Sequence, residues 1–90
     1  MIIDVHAHLF SDQDDNEAFL AECKRAGIDK ICAFLSGMCS EGLLADDPNR
    51  LALELRERHP DSVIVFARAH AVDGQAGLDE LTRLVEEEGV

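Results

Sequence analysis

The chain has 90 residues, 47% hydrophobic and 30% charged, the composition of one folded domain and too short for two. Its 19 acidic residues against 8 lysines and arginines leave a net charge of −11. That balance weighs against nucleic acid and anionic membranes as partners, since both reward clusters of basic side chains. The three cysteines, Cys23, Cys32 and Cys39, are odd in number and never spaced C-x-x-C, so a disulfide framework is disfavoured and a reducing cytoplasm is the expected setting.

Met1 leads directly into Ile2 and Ile3, then Asp4 and two histidines, with no basic stretch before an apolar run of the secretory kind. Ile2 to Ala7 reads as a first strand. Ser11 to Asn16 is a polar loop able to cap a helix, and Phe19, Leu20, Cys23 and Ala26 then fall at helical spacing. Gly27 closes that helix, because glycine enters the left-handed region without steric cost.

Ile28 to Leu35 is an almost continuous apolar run, the pattern of a strand covered on both faces. A loop from Ser36 to Asp47 comes next, and Asp47-Pro48 marks a helix start, with an acidic cap and proline at the first helical position. That helix runs through Leu51 and Leu55 to His59, and Pro60 lies just past it. Val63 to Ala67, rich in β-branched residues, is a third strand. After a loop over Ala71 to Gln75, the residues Leu78, Leu81, Leu84 and Val85 make one apolar helix face, and Gly89-Val90 reads as a turn toward a fourth strand.

Three βα units in succession imply parallel strands joined by crossover helices. No G-x-G-x-x-G loop or G-K-[ST] motif stands after any strand, which removes support for nucleotide-binding doubly wound folds. The expected fold is therefore α/β: the first three units of a TIM-type (β/α)8 barrel over residues 1–90. A complete barrel takes about 250 residues, so the chain reads as a partial barrel ending before strand four.

The segment with chemical content is Asp4-Val5-His6-Ala7-His8. Alternation along a strand places Asp4, His6 and His8 on one face, and Val5 and Ala7 on the other. The histidines stand at the C-terminal end of the strand, where barrel active sites are built. Two imidazoles at i and i+2 can ligate one divalent ion, and imidazole suits zinc and similar ions better than magnesium or calcium. Asp4, one step deeper, is placed to orient a ligand or brace the strand rather than to bind the ion.

The stretch Ile3-Asp4-Val5-His6-Ala7-His8-Leu9-Phe10 resembles the opening of the amidohydrolase superfamily, whose first strand ends in an H-x-H metal pair. Ala26-Gly27-Ile28-Asp29-Lys30, Arg58-His59-Pro60-Asp61, Phe66-Ala67-Arg68 and the helix from Glu80 to Glu87 are similar to the amidohydrolase-related group that includes aminocarboxymuconate-semialdehyde decarboxylase-like enzymes. The resemblance spans the chain, but only the histidine pair carries chemistry. It implies that His6 and His8 bind a divalent metal, usually zinc, which activates water and polarises the carbonyl of a small-molecule substrate. The implied activity is hydrolysis of a C–N or C–O bond, with non-oxidative decarboxylation as the alternative within the group. The group's later histidines and its proton-transferring aspartate have no counterpart here, so no residue of this chain is assigned a catalytic role. TatD-like nucleases and the polymerase-and-histidinol-phosphatase group open with similar pairs but fit the second strand less well.

Arg68 and His70 share a face at the end of the third strand and are candidates for holding a carboxylate substrate; where the group often has proline, Ala71 stands. Asp12, Asp14 and Asn16 mimic the start of a calcium loop, but Glu17 and Cys23 occupy the positions of its glycine and bidentate glutamate. Capping the first helix explains them better. His59 complements the dipole at a helix end. A non-catalytic reading also stands: a homo-oligomer that assembles to bury an open barrel edge.

Overall fold

The computed structural model describes residues 1–35, 49–69 and 71–90. The loop expected over 36–47, with Cys39, the Asp47-Pro48 helix start and His70 all lie outside the described residues. Strand β1 runs Ile3–Leu9, helix α1 Gln13–Arg25, β2 Lys30–Leu35, α2 Arg50–Arg58, β3 Val63–Val65 and α3 Gly74–Arg83. A 3₁₀ turn, Ala71–Asp73, leads into α3, and a π-helical turn, Leu84–Glu88, extends it.

The strands form one open sheet in the order β1-β2-β3, parallel throughout. Parallel neighbours cannot be joined by a tight hairpin, so each step needs a crossover. α1 supplies the first, and α2 lies within the second. The mixed α/β class and the parallel order agree with the sequence expectation. Among the described residues no helix is long and apolar enough to cross a membrane.

Ala7 lies beside Ala33 and Ala33 beside Val65, while Ile31 lies beside Val63. These five residues and Leu9 form the covered face, packed against Leu20 and Cys23 of α1 and Ala52 and Leu55 of α2. The 3.6-residue stripe of each helix thus meets the two-residue alternation of the strands. The other face carries Phe34, Ile64 and Phe66, and the last two are 38% and 46% exposed. The sequence expectation of a strand covered on both faces holds for β2, where the consecutive Ile31, Cys32 and Ala33 are all buried, whereas in β3 the alternate Val63 and Val65 lose water and Ile64 keeps it.

Element boundaries differ in instructive ways. α1 begins at Gln13, before the expected Asn16, because the Asp12 side chain accepts the Asp14 N–H at 2.8 Å and caps the helix. β3 stops at Val65, short of the expected Ala67, although the Phe66 N–H still reaches the Ala33 carbonyl at 3.0 Å. α3 begins at Gly74, inside the loop expected over Ala71 to Gln75. Gly89 takes φ +66°, the left-handed conformation that ends the last helical turn.

Candidate functional site

His6 and His8 project from the C-terminal half of β1 onto the open face. Their Nε2 atoms lie 2.7 Å apart and their ring centroids 4.7 Å apart. Both rings pack on Phe34 of β2, at centroid distances of 5.2 Å for His6 and 4.5 Å for His8. Phe34 is in register with His8, so this face of the sheet sets the spacing of all three rings. A 2.7 Å contact between ring nitrogens requires one to carry hydrogen and the other a lone pair.

Asp4 is not on that face. β1 advances three residues from Asp4 to Ala7 while β2 advances two, from Ile31 to Ala33. This β-bulge restarts the alternation. Asp4 falls in register with buried Ile31 rather than beside the imidazoles, and Val5 is left 66% exposed. The expectation that Asp4 shares the histidines' face is corrected for this reason. Asp4 braces the strand instead: its Oδ1 accepts the His6 N–H at 2.9 Å, a local bond that competes with the ladder. The Cys23 thiol on α1 has a raised pKa, chiefly through burial and further through the negative charge of Asp4.

Two buried asparagines, which sequence reasoning missed as clamps, fix the chain where strands end. Asn16 is fully buried on the α1 stripe with Leu20 and Cys23. Its Oδ1 accepts the Phe10 N–H at 2.6 Å, and its Nδ2 donates to the Phe10 carbonyl at 3.0 Å and to Gln13 Oε1 at 2.8 Å. Asn49, before α2, treats Arg68 alike: Oδ1 accepts the Arg68 N–H at 2.6 Å, and Nδ2 donates to the Arg68 carbonyl at 3.0 Å. The signal for Asn16 was present in the sequence, as a polar residue at an apolar-stripe position. Asn49 gave none.

Arg68, a sequence candidate for substrate binding, borders two hollows. One of about 330 Å³ lies on the open face between Phe34, Phe66 and Arg68. The other, of about 290 Å³, lies toward α3, with Arg68, Asp73 and Glu80 among its walls. His6 and His8 are not among the described residues lining either one, so the structure brings the histidines together without bringing Arg68 to them. Phe34 is the residue shared between the ring cluster and the first hollow.

The donor set suits a borderline divalent ion, since both Nε2 atoms converge and both rings are exposed enough to turn. Tetrahedral zinc with nitrogen bonds of about 2.0–2.1 Å separates two ligand nitrogens by roughly 3.3 Å, so the rings would part by roughly 0.6 Å to admit it. Among the described residues no third histidine, cysteine or acid joins the pair to make a metal-holding group. The fit is that of two ligands.

His59 does more than complement a helix dipole. Its Nε2 lies 2.6 Å from Glu17 Oε2, and Arg58 Nη1 lies 3.2 Å from Glu17 Oε1, so the end of α2 clasps α1. Burial opposes ionisation of Glu17, but the hydrogen bonds and charges of His59 and Arg58 outweigh it and hold the carboxyl below its usual range.

No protein-family profile matches the chain, and no curated protein or solved structure matches it either.

Proposed function

We propose that His6 and His8 are two ligands of a divalent-metal centre in a metal-dependent hydrolase of the amidohydrolase kind, acting on a C–N or C–O bond of a small molecule. In this reading the three βα units are the opening part of a TIM-type barrel. The observation that carries it is the convergence of two Nε2 atoms, 2.7 Å apart, at the C-terminal end of a parallel strand. Imidazole donors favour zinc. When bound, such an ion supplies Lewis acidity toward water and a carbonyl. The chain's own contributions are to hold the ion through two rings, to fix the His6 backbone through Asp4, and to wall the pair with Phe34.

Equilibrium dialysis of the 90-residue chain against zinc tests the assignment. One ion per chain is expected, with affinity lowered about tenfold or more in His6→Ala and in His8→Ala, since each variant removes a ligand outright. Equal binding by the wild type and both variants would sink the proposal. Because catalytic zinc normally takes three protein ligands, the zinc-loaded chain by itself is expected to turn over neither ester nor amide substrates.

A further inference from the structure

The chain has six arginines. Arg25, Arg50, Arg56, Arg58 and Arg83 each have a glutamate within ion-pair distance. The Arg68 guanidinium has no partner among the described residues, and its Nη1 is sealed from solvent without a hydrogen bond. This is unexpected in a chain of net charge −11, where carboxylates outnumber their possible partners. The Asn49 clamp on both polar groups of the Arg68 backbone shows that the position is built rather than loose.

Arg68 borders the cleft of about 290 Å³, near the small end of the range for small-molecule sites. Two acids border it as well. Glu80 is already held by Arg83, at 2.8 and 2.9 Å. Asp73 stands at the N-cap position of α3, yet its side chain makes no capping hydrogen bond. The remaining wall includes Ala69, Ala76 and Gly77, which keep side chains out of the space. Among the described residues, the cleft is therefore bordered by a guanidinium whose Nη1 lacks a partner and by a carboxylate that makes no capping bond. A simple anion would satisfy the first and be repelled by the second, and a simple cation the reverse.

The geometry points to a binding site for a small zwitterion of the α-amino-acid class in this cleft, with Arg68 taking the carboxylate and Asp73 the ammonium group. This site is separate from the histidine pair and does not depend on a metal there.

Titration of the full 90-residue chain by ¹H–¹⁵N NMR, with L-alanine, acetate and methylamine as probes, tests it. L-Alanine is expected to shift the amides of Ala69, Ala76 and Gly77 saturably. Acetate and methylamine, each lacking one of the two charges, are expected to bind about tenfold more weakly or not at all. Arg68→Gln should abolish the L-alanine response. Asp73→Asn, at an exposed position, should keep the fold and bring L-alanine down to the level of acetate. His6→Ala and His8→Ala should leave the response unchanged, so failure of the metal assignment and failure of this site are distinguishable. Equal binding of acetate and L-alanine by the wild type, or no saturable shift with L-alanine, would overturn the inference.

Discussion

At the scale of single residues, the shape of the open face depends on side chains that replace backbone partners. Asn16 satisfies both polar groups of Phe10 two residues past His8. Asn16→Ala leaves those groups without their partner in a half-buried setting and is expected to lower stability by about 1–3 kcal/mol, read as a shift in the urea midpoint. Asn16→Asp separates the two roles, because it keeps the acceptor for the Phe10 N–H and loses the donor to the Phe10 carbonyl. Its loss should be at least as large, since a buried carboxylate also lacks the Gln13 contact as it stands. A wild-type midpoint for both variants would show that the clamp contributes nothing. Asp4 makes a parallel case: Asp4→Asn retains an oxygen for the His6 N–H and Asp4→Ala does not. Zinc affinity should therefore survive the first change better than the second, and equal affinities would remove the bracing role.

At the scale of elements, two joints hold α1, α2 and the sheet together. Leu55 is fully buried between α2 and the sheet, so Leu55→Ala should cost about 2–5 kcal/mol through lost burial and a residual cavity. Such a loss is a large fraction of the roughly 5–13 kcal/mol expected of a chain of this size, and circular dichroism melting would show it as a lowered melting temperature. The second joint is the Glu17 clasp. The folded-state pKa of Glu17 is depressed, so its contribution is present above the usual glutamate pKa, about 4.3, and disappears as the pH falls through the lower folded value. Glu17→Gln should therefore narrow the stability difference between pH 7 and acid. A variant whose acid profile matches the wild type would assign that sensitivity to other carboxylates. The clasp is partly exposed on both sides, so the effect is a modest one.

These joints also show what the sequence could reveal. The strands and helices were legible because the period of apolar residues is a local property: Ile31, Ala33, Val63 and Val65 announce a sheet, and Leu20 and Cys23 a helix. His6 and His8 were legible as a pair for the same reason. The bulge was not, because it depends on the Asp4 carboxylate taking a backbone N–H from the ladder, an event with no periodic signature. Nor were the links from Glu17 to His59 and from Asn49 to Arg68, which join positions 42 and 19 residues apart.

At the scale of the whole molecule, charge and fold pull in opposite directions. A net charge of −11 on 90 residues disfavours the compact state, because folding brings like charges closer together. The ion pairs that oppose this are at least partly exposed, as with Arg25–Glu22 and Arg50–Glu54, and exposed pairs contribute little each. Repulsion and attraction are both screened by salt, so the sign of the salt response tells which is larger. With 19 acids and 8 lysines and arginines, repulsion should dominate. Raising sodium chloride from about 0.02 M to about 0.5 M contracts the screening length from roughly 20 Å to a few ångströms and should raise the melting temperature. Sodium chloride is the better choice over sulfate, which would stabilise any fold by exclusion from its surface. A melting temperature that falls with sodium chloride would mean that the pairs, the Glu17 clasp among them, outweigh the excess of acid. Screening also permits the open face, with Ile64 and Phe66 exposed, to meet a second copy. The measurement is therefore made at two protein concentrations: a stabilisation that grows with concentration belongs to association, and one that does not belongs to the single chain.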